Sequence, residues 1–517
     1  MRSTALLIIT GCLLTITLPA AADQTVATGF VYNDANHNNQ RDPGEAGLPD
    51  VRVSNGRDVV KTDANGTYKL PADDDTIIFV IKPRGWMTST DKLNCPRFYY
   101  IHKPAGSPKM KFPAIEPTGP LPASIDFPLH KHDEPNRFEV LLFGDPQTRS
   151  IEEVDYLAHD IIEPLMGTSA AFAMALGDLA YDDLNMLEPI GHTFAPLGIP
   201  CYYVLGNHDR DYAAPTDQDS DDAYERCFGP SYYSFDYGPV HFVVLDSVMH
   251  YPAEGDKDAR YEGGLGEEQM AFLKSDFALV PQDQLIVLTM HIPMVEFPER
   301  EALYALLAQH PHTVSFSAHY HFHHHWFLGK EDAWPGPEPH HHTTLVTTCG
   351  SWWSGAPDEV GIPHTTMRDG APNGWCVATF DGPRCDVEFR AARQPATYQM
   401  NIYTPEAVPA AQAAETEVFV NVFAGSQRST VEFRFDVGPW QRMEKVERED
   451  PYYVAVKTSE ESERPPNGRK LPKPIKSPHL WRGLLPADPT PGTHTIEVRT
   501  TDVYGHTYSS QRLVRIE

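Results

Sequence analysis

Five separate stretches of the chain end in side chains that bind metal ions or transfer protons. In chain order they are DPQ (145–147), GD (177–178), GNHD (206–209), a single histidine (291) and HYH (319–321). Hydrolytic metal centres draw carboxylate, amide and imidazole ligands from several loops. One such stretch alone is more often a turn, but their order and number together predict a metal-dependent hydrolase.

Each of the five stretches follows an apolar run that is typical of a buried strand. These runs are FEVLLFG, AAFAMALG, CYYVLG, QLIVLTM and TVSFSA. Helical patterns lie between them, as in IEEVDYLAHDIIEPLMG, GEEQMAFLKSDFALV and PEREALYALLAQH. Because ligands of α/β folds bind at the carboxyl ends of the strands, we expect the five stretches to meet at one edge of such a fold.

This core is predicted at residues 135–394, between two all-β domains. Short β-like runs such as TGFVYND and TIIFVIKP predict an N-terminal β-sandwich at 23–134. EVFVNVFAG, YYVAVKT and HTIEVRTTDVYG predict a C-terminal β-sandwich at 395–517, and WCVATF with CDVEFRA predicts a hairpin before it. The predicted fold class is therefore an α/β core, of the α+β sandwich type, flanked by two all-β sandwiches.

The order of these motifs resembles that of the calcineurin-like metallophosphoesterases, whose pattern is DxH, GDxx, GNH(D/E), H and GHxH. The similarity covers about residues 138–390, and GNHD and HxH are its most specific parts. The flanking sandwiches are similar to those of an exported bacterial subgroup of that family. The resemblance implies hydrolysis of a small phosphate mono- or diester by attack of a metal-bound hydroxide.

The resemblance also implies a ligand set for two divalent or mixed-valence transition metals, such as Mn, Fe or Zn. The first metal would be held by Asp145, Gln147, Asp178 and His321, and the second by Asp178, Asn207, His291 and His319. Asp178 would bridge the two ions. The family's non-ligand histidine corresponds to His208, which stabilises the transition state and protonates the leaving oxygen, and Asp209 would orient it.

Two positions depart from the family pattern. Gln147 stands where most members have histidine, and Ala318 stands where they have glycine. An amide oxygen still coordinates hard divalent ions. We therefore interpret Gln147 as changing the metal preference of the site and not as abolishing metal binding. GDLAY is also similar to the GDxxY motif of purple acid phosphatases, which makes Tyr181 an optional ligand, although the first motif of that family is DxG.

Four further side chains are candidates for contacting the substrate. Arg210 follows GNHD, and a long loop at 349–375 carries Trp352, Trp353 and Arg368. An arginine can clamp a phosphate and a tryptophan can stack on a sugar or base, while capping of a domain junction is an equally good interpretation of the tryptophans.

Six more histidines are expected to be exposed or to lie behind the ligands, not to bind metal themselves. They are His323, His324, His325, His340, His341 and His342. The alternative for the histidine tract SAHYHFHHH (317–325) is loose metal buffering.

A second metal motif occurs near the start of the chain, in DANHNNQRDPGE. Its polar residues fall at positions 1, 3, 5, 7, 9 and 12 of a calcium loop of the EF-hand type: Asp34, Asn36, Asn38, Gln40, Asp42 and Glu45. The loop resembles those of calcium-binding β-sandwich repeats in bacterial surface proteins, so we expect one structural calcium ion. A polar turn with chance spacing is the weaker alternative.

Composition and the N-terminus limit the remaining possibilities. The chain has 71 acidic and 42 basic residues, a formal charge of −29, which argues against nucleic acid as a main partner. Residues 1–22 have the pattern of a secretory signal, so the protein is predicted to be periplasmic or extracellular, with lipidation at Cys12 a minor alternative. No other segment predicts a transmembrane helix. The competing function is a calcium-stabilised binding or adhesion protein whose phosphoesterase domain is degenerate.

Overall fold

The computed structural model describes residues 25–462 and 468–517. The predicted signal segment, residues 1–22, lies outside the described residues. None of the described helices is long and apolar enough to cross a bilayer. In these same ranges all six cysteines, from Cys95 to Cys385, are unpaired.

Eight strands make up the N-terminal part of the chain. They are β1 (Val26–Asn33), β2 (Arg52–Ser54), β3 (Val59–Lys61), β4 (Thr67–Pro71), β5 (Thr76–Ile81), β6 (Trp86–Met87), β7 (Tyr99–His102) and β8 (Phe127–Lys131). They form two four-stranded sheets with the orders β4-β1-β8-β6 and β3-β2-β5-β7. The N-terminal part is therefore a β-sandwich, as predicted.

The central part contains thirteen strands and five α-helices. The strands are β9 (Arg137–Phe143), β10 (Phe172–Leu176), β11 (Cys201–Val204), β12 (Tyr233–Tyr237), β13 (Val240–Val244), β14 (Val248–Tyr251), β15 (Arg260–Gly263), β16 (Leu285–Thr289), β17 (Thr313–Ser317), β18 (His324–Leu328), β19 (His340–Thr344), β20 (Gly374–Asp381) and β21 (Arg384–Ala391). The helices are α1 (Ile151–Leu157), α2 (Leu187–Phe194), α3 (Asp222–Phe228), α4 (Gly266–Phe277) and α5 (Arg300–Leu307).

Two mixed sheets form the core of this central part. One has the order β11-β10-β9-β20-β21 and the other β12-β13-β16-β17-β19-β18. Strands β9, β10 and β11 are parallel, as are β13, β16 and β17, and every residue of β10, β11 and β16 is buried. Because parallel strands end at the same edge of their sheet, the segments after them come together there. The predicted hairpin is confirmed as β20 and β21.

The C-terminal part is a second β-sandwich, with one α-helix among its described residues. Its strands are β22 (Met400–Tyr403), β23 (Ala407–Val408), β24 (Glu417–Val422), β25 (Thr430–Phe435), β26 (Gln441–Arg442), β27 (Glu444–Val446), β28 (Leu480–Leu484), β29 (Gly492–Thr501) and β30 (Thr507–Ile516), and its helix is α6 (Pro451–Ser462). The sheet orders are β22-β24-β28-β27 and β23-β30-β29-β25-β26.

The prediction of a strand at YYVAVKT is wrong, because these residues lie in α6. The Asp450 carboxylate accepts the N–H of Tyr452 at 2.9 Å, which caps the first turn, and Pro451 occupies the first helical position. The β-like composition of the segment is thus overridden by a helix start signal directly before it.

The N-terminal sandwich is joined to the core by a buried ionic network. Arg52 of β2 donates to Asp236 of β12 and to Asp276 of α4, each at 2.8 Å. His241 of β13 contacts the same two carboxylates at 2.8 and 2.9 Å. Burial lowers the pKa of His241, but Asp276 and Asp236 outweigh burial and raise it. The two buried carboxylates are therefore paired with the cation of Arg52 and with an imidazole whose protonation they favour.

We predict that Arg52→Ala lowers the free energy of unfolding by about 3–5 kcal/mol, because it leaves buried carboxylate charge uncompensated. Chemical denaturation monitored by fluorescence measures this change. Arg57→Ala is the matched control, since Arg57 is exposed on the same domain. Equal stability of the two variants would contradict the prediction.

Candidate metal centre

The structure gathers the predicted metal ligands at the edge where the parallel strands of both sheets end. The seven residues are Asp145, Gln147, Asp178, Asn207, His291, His319 and His321, and all but the half-buried His319 are buried. Five of them have positive φ angles, between 40° and 74°. Left-handed backbone at non-glycine residues is strained and concentrates at functional sites, where it aims side chains that a regular strand would point elsewhere.

Asp178 lies at the centre of the cluster, and its two carboxylate oxygens face different neighbours. Oδ1 is 3.2 Å from His291 Nε2 and accepts the backbone N–H of His208 at 2.9 Å. Oδ2 accepts from Gln147 Nε2 at 3.1 Å. One carboxylate therefore connects the group of residues after β9 with the group after β11 and β16.

Backbone carbonyls set the orientation of two of the histidines. His291 Nδ1 lies 2.9 Å from the Leu176 carbonyl and His321 Nδ1 lies 2.8 Å from the Gly350 carbonyl. Since a carbonyl only accepts, each Nδ1 carries the hydrogen, and a neutral ring then presents the lone pair of Nε2. These Nε2 atoms point to Asp178 and, at 3.6 Å, to Asp145. This is the usual arrangement of metal-binding histidines.

The electrostatics of the cluster strongly favour a cation. Burial raises the pKa of Asp145 to about 8, and the charge of Asp178 adds to this effect. Burial lowers the pKa of His291, but Asp178 and Asp145 outweigh it and raise the value to about 9. Burial lowers the pKa of His319 to about 3 and that of His321 to about 4. The cluster thus combines two carboxyl groups with the imidazoles of His319 and His321, whose neutral form is favoured, and this donor set suits transition metals.

Two further observations indicate that these residues fit a bound metal ion. Asp145 Oδ1 is buried without a hydrogen-bond partner among the described residues, which is costly for a carboxylate unless a cation compensates it. Ligand atoms of Asp178, His291 and His319 lie within 4.8 Å of one another. His291 Nε2 is also 3.1 Å from Asn207 Oδ1 and 3.2 Å from His319 Nδ1.

His208 is oriented by a different residue from the one the sequence indicated. Its Nδ1 contacts Asp182 Oδ1 at 2.6 Å. The carboxylate of Asp209, which was expected to orient it, instead accepts three backbone N–H groups, from Leu179, Ala180 and Gly206. Asp209 therefore shapes the two loops. The contact with Asp182 was missed because it joins separate loops and has no spacing in the sequence.

The charge state of His208 follows from its neighbours. Burial lowers its pKa, but Asp178 and Asp182 outweigh burial and raise it.

The Tyr181 ring stacks on the imidazole with centroids 4.4 Å apart. The structure thus places Tyr181 against His208, and in the described part of the chain its hydroxyl has no hydrogen bond to any predicted ligand.

Two of the substrate-contact candidates are buried and serve the fold. Arg210 is fully buried, where its guanidinium donates to the Asn207 carbonyl at 3.2 Å and contacts His250. Trp353 is buried and donates from Nε1 to the Pro146 carbonyl at 3.0 Å. The expectation that Arg210 and Trp353 contact substrate is therefore wrong. Arg210 holds the Asn207 loop from behind, and Trp353 anchors the 349–375 loop.

The other two candidates remain beside the cluster. The Trp352 ring stacks on His321 with centroids 4.2 Å apart, and the Arg368 guanidinium lies 5.7 Å from the Trp352 centroid. Both residues are half-buried.

The C-terminal sandwich holds the loop that carries Arg368. His479 Nε2 contacts Asp369 Oδ2 at 2.8 Å, and Asn421 Nδ2 donates to the Asp369 carbonyl at 2.8 Å. The same Asp369 Oδ2 accepts the N–H of His323, two residues after His321. All four of these residues are buried. A C-terminal histidine therefore fixes both the Arg368 loop and the segment after HYH.

The six additional histidines are largely buried, so that of the two expected alternatives, exposure or a position behind the ligands, exposure is wrong. His323, His325, His340 and His342 are buried, and His324 and His341 are half-buried. Ser315 contacts both His340 and His342 at 2.7 Å, and His342 also contacts Ser317 at 2.9 Å. Hydroxyl and imidazole groups thus alternate between β17 and β19 and form hydrogen bonds with one another.

The polar side chains of the predicted calcium loop converge on a shared point inside the loop. Both Asn36 and Asn38 donate from Nδ2 to Asp42 Oδ2 at 2.8 Å. Asp34 accepts the N–H of Asn38, and Glu45 accepts those of Ala35 and Asp42. Rotation of the two amides by 180° would present oxygens in place of nitrogens to this shared point. Gln40 is exposed, which suits position 7, where the backbone carbonyl is the ligand.

Comparison with solved structures gave low similarity scores. The structure of a purple acid phosphatase from yellow lupin (Lupinus luteus) seeds has 14% identity and a TM-score of 0.37, over 66% of this chain and 67% of that chain. The structure of PhoD has 11% identity and a TM-score of 0.37, over 77% and 90%. CopC from Methylosinus trichosporium OB3b has 10% identity and a TM-score of 0.14, over 23% and 89%. No curated protein gave a significant match.

Three family models match the chain in succession and together span most of it. The N terminal of Calcineurin-like phosphoesterase matches residues 35–115, Calcineurin-like phosphoesterase matches 138–323, and the C terminal of Calcineurin-like phosphoesterase matches 342–508. The central match contains the Asp145 to His321 cluster. The chain therefore belongs to the calcineurin-like phosphoesterases and is a metal-dependent hydrolase of phosphoric esters.

Proposed function

We propose that this protein is an exported phosphoesterase with a dinuclear metal centre that hydrolyses a phosphate mono- or diester. The observation that carries the proposal is the position of Asp178, whose Oδ1 faces His291 and whose Oδ2 faces Gln147. One oxygen is thus available to each of two ions. Asp145, Gln147 and His321 complete one side, and Asn207, His291 and His319 complete the other.

The donor set admits Mn, Fe or Zn, and these ions, when bound, activate water and neutralise phosphate charge. Gln147 directs its Nε2 at Asp178, and rotation of the amide by 180° would present an oxygen there, where an imidazole is usual and an oxygen favours harder ions. Tyr181 is not needed as a ligand, because its ring lies against His208.

The residues of the chain contribute proton transfer and positioning. His208 has its Nδ1 held by Asp182, so Nε2 is free to donate a proton to the leaving oxygen. The half-buried Arg368 lies beside Trp352 and His321, where it can bind the phosphate being hydrolysed.

Export is supported by the sequence of the first 22 residues, with Arg2, an apolar run from Ala5 to Leu18 and three alanines at 20–22. A structural calcium ion is supported by the inward-facing side chains of the 34–45 loop. Such an ion would rigidify the loop between β1 and β2.

The direct test of the proposal is turnover of 4-nitrophenyl phosphate and bis(4-nitrophenyl) phosphate by protein loaded with manganese. We expect hydrolysis of at least one of them and about two metal ions per chain by elemental analysis. Asp178→Asn should lose most of the activity and at least one ion, because it removes the shared charge. Product release equal in wild type and variant would favour the binding-protein alternative. Metal binding that survives unchanged in the variant would favour loose buffering by the histidine tract.

Asp182→Asn tests the orientation of His208. We expect kcat to fall about 10- to 100-fold with little change in KM, because the imidazole loses the partner that fixes its proton on Nδ1. Asp183→Asn is the matched control, since this neighbour makes its contacts with Asn185. Steady-state kinetics with the better aryl ester measures both. A larger loss in Asp183→Asn would contradict the assignment.

Glu45→Gln tests the calcium site. Calorimetry should show one calcium ion bound by the wild type and an affinity at least tenfold lower in the variant, since position 12 supplies both carboxylate oxygens. Glu116→Gln, an exposed change of equal charge in the same domain, should bind like the wild type. Failure of the wild type to bind calcium would remove the site.

A further inference from the structure

Two arginines contact aromatic rings that themselves stack on histidines of the metal centre. The Arg149 guanidinium lies 3.8 Å above the centroid of Tyr181, which stacks on His208. The second arginine is Arg368, next to Trp352 and His321. We call these the Arg149 stack (Arg149, Tyr181, His208) and the Arg368 stack (Arg368, Trp352, His321).

Neither guanidinium has a carboxylate partner within the ranges 25–462 and 468–517. Glu153 is close to Arg149, but its Oε2 accepts the backbone N–H of Arg149 and its Oε1 pairs with Arg469. Asp160 and Asp358, in the same region, form ion pairs with Arg393 instead. In a chain of net charge −29, half-exposed arginines without an acidic partner are unusual, and both of these flank the metal centre.

The Tyr181 ring is unavailable for stacking on a substrate. His208 lies parallel to one face at 4.4 Å, and two groups cannot share one face at such distances, so Arg149 covers the other. What the Arg149 stack offers to a ligand is therefore the guanidinium and its donors. Cation–π contact holds it in place while leaving those donors free.

The position of His208 determines what lies near Arg149. If His208 Nε2 protonates the leaving oxygen, the leaving alcohol departs beside the Arg149 stack, in which the Tyr181 ring separates the imidazole from the guanidinium. Arg368, beside the ligand His321, is instead near the phosphate being hydrolysed. The acidic protein repels anions at long range, so an anionic leaving group requires a local cation to be bound.

We propose that Arg149 forms a subsite for a second anionic group, a carboxylate or a phosphate, carried by the leaving alcohol of the substrate. The preferred substrates are then phosphate esters of acidic alcohols, not of neutral ones. The inference rests on the proposed function, because it uses His208 as the acid for the leaving group. The competing explanation is that Arg149 only holds Tyr181 in place.

The test compares three esters of matched size with the metal-loaded wild type. Phosphate release is measured from 3- and 4-carboxyphenyl phosphate and from the uncharged isostere 4-carbamoylphenyl phosphate. We expect kcat/KM for the better carboxyl ester to exceed that for the carbamoyl ester at least tenfold, mainly through KM. In Arg149→Gln this ratio should fall to about one, and Arg149→Lys should restore part of it.

Arg368→Gln is the matched variant of the second stack. It should lower kcat/KM for all three esters and keep the ratio, because its contact is with the phosphate common to them. Arg57→Gln, an exposed arginine of the N-terminal sandwich, controls for loss of one positive charge. A wild-type ratio near one, or a ratio that Arg149→Gln leaves unchanged while all rates fall, overturns the subsite.

Binding measurements separate failure of the subsite from failure of the proposed function. If no ester is hydrolysed, the proposed function fails, and the subsite is then tested by calorimetry with 3- and 4-carboxyphenylphosphonate and 4-carbamoylphenylphosphonate. At least tenfold tighter binding of a carboxyl compound, lost in Arg149→Gln, supports the anion subsite. Equal binding of the carboxyl and carbamoyl compounds overturns it.

Discussion

The structure depends on the burial of three carboxylates, Asp145, Asp178 and Asp209, in one small region. Each needs compensation, because an isolated buried carboxylate is very unfavourable. Asp209 receives three backbone N–H groups, and Asp178 receives the His208 N–H and faces His291. Asp145 keeps one oxygen without a partner among the described residues, and burial raises its pKa to about 8. A cation bound beside Asp145 would complete this balance, which agrees with the metal dependence of the family.

Close packing around Asp178 explains the glycines of the motifs. A Cβ on Gly206 would lie 1.9 Å from the Asp178 backbone nitrogen, and one on Gly177 would lie 2.7 Å from the His291 side chain. No side chain can be accommodated at either position. The glycines of GD and GNHD therefore allow loops from three strands to approach one another closely around Asp178.

Each flanking domain stabilises the core at a different place. The N-terminal sandwich is attached through Arg52 to Asp236 and Asp276, on β12 and α4. The C-terminal sandwich is attached through His479 to Asp369, next to Arg368. Loss of the C-terminal domain would therefore affect the loop that places Arg368 and Trp352 beside His321, and the family models likewise cover all three parts of the chain.

The sequence predicted the features that depend on local pattern and missed those that depend on contacts between distant loops. The alternation of strands and helices, the flanking sandwiches and the gathering of the seven candidate ligands follow from apolar runs that end in polar residues. Asp182 was missed, because its contact with His208 is a matter of loop geometry, and the orienting role was assigned to Asp209 from the family resemblance.

The burial of individual side chains also could not be predicted from residue type. Arg210 and Trp353 are both suited to substrate binding, yet their surroundings bury them. Residues 452–458 have the composition of a strand, but the capping carboxylate of Asp450 and Pro451 begin a helix there. In each case a tertiary contact or a single start signal overrode local propensity.

Anomalous X-ray scattering from crystals of the manganese-loaded protein shows whether Asp178 is shared by two ions. We expect two peaks about 3.5–4 Å apart, with one oxygen of Asp178 directed at each. A single peak at this position, or peaks at His323 and His325 with none beside Asp178, would contradict it.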